Sequence, residues 1–339
     1  MPYLPRAVCF IFAVACLAVR LGAQPFCLPT ANTAVVQPGA EDRAFAATAP
    51  DKGWISGTFG CVRDSGWRFH KGLDIRSIQH DRYDEPTDPV MSTADGVVMY
   101  VNTRPSLSNY GNYIVIQHHI EGMEVYSLYA HLSRIAPGIQ AGVPVKTGQV
   151  IAIMGRTSNA ERIGKERAHV HFELNLFNNE HFDTWFHQTS PNERNDHGIW
   201  NGRNLIGFDP RLVLLQERQR GPQFSLTQFL RSRTELCRVF VRVRDFPFLR
   251  RYPQFIVPNP RAEKEGVAGY ELALDFDALP FQIIPRAASE MPGSARFQLL
   301  SVNDAEETKN PARRLVTKRS GRWALDPHGI EELSLLTAN

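Results

Sequence analysis

The sequence predicts a mainly β protein: an antiparallel sheet or sandwich domain with an open groove, then short helices, then a second, mostly β region. Three observations carry that reading. Six short runs rich in β-branched residues lie between Gly and Pro turns over about 53–176; helical spacing follows over about 211–236; alternation returns after residue 237. The length of 339 residues, 43% hydrophobic and 22% charged, suits two cores.

Taken in order, the chain opens with an apolar run over 7–19, behind Arg6 and before the small residues Leu21, Gly22 and Ala23. A bilayer span needs about 20 apolar residues, so this shorter run, interrupted by Arg20, predicts an export signal over 1–23, cleaved after Ala23. An uncleaved anchor is the alternative; a lipid anchor at Cys16 lacks the leucine expected in the preceding Ala13-Val14-Ala15. Residues 24–52 hold Pro25, Pro29, Pro38 and Pro50 among small and polar residues, which predicts an extended arm or linker. The first domain is expected over 53–219, with strands at 54–59, 96–101, 112–118, 123–130, 149–154 and 168–175 and a polar insertion at about 177–208. Asp209-Pro210 caps a helix over 211–219, and a second helix over 225–236 belongs to a connector at 220–236. Residues 237–339 read as a separate β-rich domain with strands near 238–243, 270–276, 281–284 and 296–302. No internal repeat makes it part of a solenoid.

Charge excludes some functions. Lys+Arg total 38 against 35 Asp+Glu, and losing Arg6 and Arg20 with the signal leaves 36 against 35. Such a chain lacks the basic excess of a nucleic-acid binder, and once the signal is removed it has no stable membrane insertion. Of the five cysteines, Cys27, Cys61 and Cys237 survive cleavage. Their spacing matches no zinc knuckle; in an oxidising compartment a Cys27–Cys61 bridge would tether the arm.

The chemistry lies in three segments: Phe69-His70-Lys71-Gly72-Leu73-Asp74-Ile75, with a Gly that can turn the backbone; Tyr129-Ala130-His131-Leu132; and Ala168-His169-Val170-His171-Phe172-Glu173. Strand period two sends His169 and His171 to one face. His followed four places later by Asp is weak alone, and His80 with Asp84 repeats it in a charged stretch without strand pattern, which reads as a solvated loop. The combination says more. His70, Asp74 and one of His169 or His171 supply two imidazoles and a carboxylate, the ligand count of a catalytic zinc with an open fourth position. Such a metal activates water near neutral pH, and the remaining histidines are then free for acid-base work and oxyanion stabilisation. His118 and His119 read as structural or exposed, and His181, His187 and His197 fit no ligand spacing. Trp185 and Trp200 either stack on a sugar or pin the insertion.

The chain resembles the lysostaphin/LytM-type zinc metallopeptidases, the M23 peptidase family, over about 53–214. The resemblance runs through Phe59-Gly60 with Arg63, His70-Lys71-Gly72-Leu73-Asp74, Ala94-Asp95-Gly96-Val97-Val98, Gly111-Asn112-Tyr113, Tyr129-Ala130-His131-Leu132, Val145-Lys146-Thr147-Gly148-Gln149 and His169-Val170-His171-Phe172-Glu173. It implies one zinc per chain, held by His70, Asp74 and His171, with His131 and His169 catalytic. Two departures stand out: Gly155-Arg156-Thr157-Ser158 in place of the usual Gly-x-Thr-Gly, and the insertion, which starts beside the cleft and is expected to act as a specificity wall.

The resemblance implies an exported, periplasmic or envelope-associated endopeptidase cutting peptide crosslinks of peptidoglycan, its C-terminal domain meeting an unknown envelope partner. Two alternatives are an inactive relative that binds other wall hydrolases, and a zinc carboxypeptidase or amidase on the same substrate.

Overall fold

The computed structural model describes residues 25–63, 68–159, 163–310 and 315–339, so the expected export signal lies outside the described residues. Among the described residues no helix is long and apolar enough to cross a membrane.

A seven-stranded antiparallel sheet carries the site. Its order is Leu205–Phe208, His169–Phe177, Met123–Ala130, Tyr113–Ile120, Gly96–Asn102, Pro144–Val145, with Leu73–Arg76 paired to the leading half of His169–Phe177. Side-chain alternation fills both faces: Ile114 and Ile116 join the main core, while Tyr113 and Val115 join a second cluster with Tyr126, Leu128 and Leu205. That explains why His169–Phe177 is buried along its whole length. A smaller sheet pairs Pro89–Met91, Val150–Ile153 and Arg134–Ile135. The fold is therefore mainly β and antiparallel.

Beyond it, Asp209 accepts hydrogen bonds from the amides of Arg211 and Leu212 and starts helix Pro210–Arg220, with Pro in the first turn. Ser225 caps Leu226–Arg231 in the same way. A four-stranded sheet follows, ordered Pro280–Arg286, Gly269–Leu274, Cys237–Val241, Phe297–Val302, then a hairpin of Val316–Arg319 with Arg322–Leu325 and a closing helix, Pro327–Leu336.

Four expectations need correction. Residues 24–52 are no loose arm where described: Val35, Ala44, Phe45 and Ala46 are fully buried, Phe45 bridges to Ile75, and the Ala46 amide bonds the Asp74 carbonyl. Small side chains let this segment lie flat along the free edge of Leu73–Arg76 and cover its unpaired backbone. The expected strand at 54–59 is instead a 3-10 turn, Trp54–Gly57, because Gly53 takes a positive φ and the Ser56 hydroxyl folds back onto the Gly53 carbonyl. Cys27, Cys61 and Cys237 are free thiols; Cys27 Sγ points to the Ser92 carbonyl, away from the expected bridge. Residues 237–339 are not packed separately, since one apolar core includes both Leu73 and Leu333, and the Tyr252 hydroxyl donates to the Glu124 carbonyl.

Candidate metal centre

Strand register assembles the site. His171 stands opposite Asp74 on one side and opposite Ala130 on the other. His169, His171 and Glu173 share a face by strand alternation. His70 enters from the turn before Leu73–Arg76. Gly72 serves clearance and not turning: a Cβ there would lie 2.8 Å from His171 Cε1 and 2.7 Å from the Phe172 carbonyl oxygen. His131, the first residue past Met123–Ala130, has φ of 60°, the left-handed region that non-glycine residues rarely adopt.

Three donor atoms converge. His70 Nε2 is 2.9 Å and His171 Nδ1 2.8 Å from Asp74 Oδ1, and the two nitrogens are 3.1 Å apart. Adjacent ligands on a tetrahedral zinc, bonded at about 2.0 Å, stand about 3.3 Å apart, so these buried donors fit such an ion. Among the described residues they are the one group of three or more His, Cys, Asp or Glu able to hold a metal.

Each of the three side chains is also fixed from behind, which decides which atom faces inward. His70 Nδ1 is 2.7 Å from the Thr58 carbonyl, which only accepts, so Nδ1 carries hydrogen and Nε2 offers its lone pair. His171 Nε2 lies 2.7 Å from Glu173 Oε1, leaving Nδ1 inward. Asp74 Oδ2 accepts from Arg63 Nη2 at 2.7 Å and Thr48 Oγ1 at 2.8 Å, leaving Oδ1 inward. Glu173 is in turn held by the Tyr110 hydroxyl at 2.8 Å and Asn175 Nδ2 at 3.0 Å. Carboxylate partners of this kind set ring orientation and ligand basicity.

Electrostatics sharpen the division of roles. Burial would raise Asp74, but His70 and His169 beside it, with hydrogen bonds from His171 and His70, hold it well below the usual carboxylate range. Burial, with Arg63 nearby, pushes His70 down to about 4 despite Asp74. For His171 burial also opposes charge, yet hydrogen bonds to Asp74 and Glu173 win and raise it to about 9. Of these two rings His171 alone is pushed toward its charged form.

His169 and His131 lie beside these donors with ring centroids 4.8 Å apart. Each donates Nδ1–H to a carbonyl, His169 to Arg167 at 2.6 Å and His131 to Thr157 at 2.8 Å, so each presents Nε2 as an acceptor. Burial lowers both, His131 to about 3 with help from His169 and His171, so both rings rest neutral. His169 Nε2 stands 3.5 Å from Asp74 Oδ1.

All five residues line one cleft of about 880 Å³. Of the other histidines, His197 and His328 line the same cleft without joining the three donors. His118 bonds the Asp95 carbonyl and Ser127, His197 bonds Tyr100 and the Leu107 carbonyl, and His80, His119, His181 and His187 are exposed. Trp185 donates to Ser334 Oγ, and Trp200 packs on Tyr126 and Phe177, so both pin the insertion. Sequence reading gave no role to Thr48, Tyr110 or Glu173. Only Glu173 left a signal, two places beyond His171 on the same strand face.

Part of the chain is similar to known peptidases. Residues 68–184, which contain all five residues, match the profile of peptidase family M23. Over 122 residues the chain is 32% identical to the peptidoglycan DD-endopeptidase ShyA of Vibrio cholerae, covering 33% of this chain and 25% of ShyA. Over 103 residues it is 37% identical to ShyB of the same organism, covering 29% of this chain and 21% of ShyB. The chain thus spans a quarter or less of each relative's length. The crystal structure of a zinc-containing peptidase from Vibrio cholerae aligns at 31% identity and TM-score 0.26, over 34% of this chain and 30% of that one. Over residues 68–184 the chain is therefore similar to the peptidase domain of family M23.

Proposed function

We propose that the chain is an exported zinc endopeptidase that hydrolyses peptide crosslinks of peptidoglycan, with one zinc per chain on His70 Nε2, Asp74 Oδ1 and His171 Nδ1. The carrying observation is the convergence of three donors, each fixed from behind, beside two histidines of the same cleft whose Nδ1 atoms are held by backbone carbonyls. A zinc held by these three residues would keep a position for water, lower that water's pKa toward about 7 and polarise a carbonyl.

The chain's residues supply the rest. His169 Nε2 takes the proton of the attacking water, and its Nδ1 bond to the Arg167 carbonyl fixes the tautomer that can do so. The same proton then serves the departing amine. His131 rests as an acceptor; as negative charge builds on the carbonyl oxygen, its Nε2 takes up a proton from solvent water in the cleft, donates it as a hydrogen bond to that oxygen, and returns it to solvent when the carbonyl re-forms. Glu173 holds His171 with Nδ1 forward, and Thr48 and Arg63 hold Asp74 with Oδ1 forward. The substrate class is supported by the names of ShyA and ShyB, and export by the apolar run over 7–19.

Mass analysis of peptidoglycan digested by the purified chain tests this. An endopeptidase converts crosslinked dimers to monomers with addition of one water per crosslink. Loss of a terminal residue identifies a carboxypeptidase, and release of whole peptides from sugar an amidase. A zinc-loaded protein that is inert on every wall preparation and binds another hydrolase is the regulator.

A further inference from the structure

We infer that the C-terminal helix Pro327–Leu336 is part of the peptidase site: it braces the insertion that walls the cleft and presents His328 and Glu332 to the substrate. The inference rests on the endopeptidase reading above and assigns this helix a place in the substrate wall.

The insertion is closed at its base by two asparagines. The Asn179 amide donates to Asn204 Oδ1 at 3.0 Å, and Asn204 Nδ2 returns a bond to the Asn179 carbonyl at 2.8 Å. Asn179 Nδ2 then reaches the carbonyls of Leu335 at 2.8 Å and Ala338 at 2.9 Å, at the C-terminal end of the helix and just past it. Higher up, Trp185 Nε1 donates to Ser334 Oγ at 2.8 Å, and Arg203, its guanidinium 5.3 Å from the Trp185 ring centroid, pairs with Glu331 at 2.6 Å. Leu335 shares an apolar cluster with Phe182, Trp185 and Phe186.

The opposite side of the insertion is tied to the metal segment. Lys71, next to His70, donates Nζ to the Gly202 and Leu205 carbonyls. Gly202 lies so close to Tyr110 that a Cβ would be 2.6 Å from the phenolic oxygen, and Tyr110 donates to Glu173 behind His171. The insertion is thus clamped between the metal-binding segment and the terminal helix. On that helix, positions 328, 331, 332 and 335 fall along one side. Glu331 and Leu335 grip the insertion, while His328 and Glu332 line the same cleft as the metal donors. His328 Nε2 stands 3.5 Å from Glu332 Oε1, and Arg203 lines the cleft beside them. A wall with both signs of charge suits a peptide that carries free amino and carboxyl groups, such as a diaminopimelate crosslink, over a neutral glycine bridge.

The test uses the full chain and a soluble crosslinked muropeptide dimer bearing diaminopimelate. The His328→Gln/Glu332→Gln double variant should raise KM about five-fold with kcat within two-fold and zinc content unchanged, the pattern of lost uniform binding. Glu331→Gln should speed amide exchange over 190–204 and raise KM in the same sense, and Glu331→Asp should restore most of both. Unchanged KM in the double variant overturns the inference, as does loss of zinc and kcat together with KM. If the wild type binds the dimer without cutting it, the endopeptidase reading fails, and the wall is judged by calorimetric Kd: about five-fold weaker in the double variant supports it, equal refutes it. A wild type that neither binds nor cuts overturns both.

Discussion

Two stretches of this chain have the same spacing, His70 with Asp74 and His80 with Asp84, and only one sits in a site. His70 and Asp74 have side chains 4% and 2% exposed, and their polar atoms meet Thr58, Arg63, Thr48 and His171. His80 and Asp84 are exposed in a turn where Asp84 takes φ of 61° and the neighbouring Glu85 pairs with Arg156 at the surface. The difference lies outside both stretches. Asp74 belongs to a strand in register with the one carrying His171, and the second stretch has no such partner. A His-x-x-x-Asp pattern gains chemistry from what the sheet sets opposite it.

The largest expected effect sharpens this contrast. Asp74→Ala removes an inward donor and strands Arg63, so zinc content and cleavage should fall to background, and the metal-free fold should lose about 3–5 kcal/mol. Metal analysis and thermal melts check both. His80→Ala belongs at the other end of the scale: zinc content and activity unchanged, and stability within about 0.5 kcal/mol. A variant at His80 that lost metal would break the comparison.

Between these extremes come residues that hold the three proposed ligands from behind. Glu173→Ala should weaken zinc binding by about 10- to 100-fold in a chelator competition, since His171 loses the acceptor for Nε2–H. Glu173→Gln, which still offers a carbonyl oxygen, should fall in between. A smaller, graded effect comes from pH. In chelator-treated protein His171, raised from 6.5 to about 9, holds a proton on Nδ1 that zinc must displace. Apparent affinity should therefore climb about tenfold per pH unit and flatten near 9, with one proton released per zinc bound. By the same linkage, the stability that this raised group gives the metal-free fold is fully present below about 6.5 and is lost as pH rises through about 9. A flat affinity profile between pH 6 and 8 would contradict that protonation.

How much of this the sequence reveals depends on the range of the contact. His169 and His171 are legible as a same-face pair because strand period two is a local property. The strands at 96–101, 112–118, 123–130, 149–154 and 168–175 emerge within a residue or two of their observed ends for the same reason. Thr48 is not legible: it reaches Asp74 across 26 residues of chain, through a segment whose prolines and alanines mimic a linker until an exposed strand edge gives them something to cover. The Trp54–Gly57 turn hides behind Ile55, a strand former outvoted by the glycines around it. Pro327–Leu336 has a legible cap at Asp326 and proline in its first turn. Its contact with the insertion joins Asn179 to Leu335 and Ala338, and no spacing announces that.

The central claim separates metal holding from proton transfer, and one paired measurement tests it: zinc per chain and mass-resolved peptidoglycan products for wild type and His169→Ala, prepared side by side. The account predicts one zinc in each, with dimers converted to monomers by the wild type and a rate lower by about 10²- to 10⁴-fold in the variant. Equal rates at equal zinc, or loss of zinc from the variant, would contradict it.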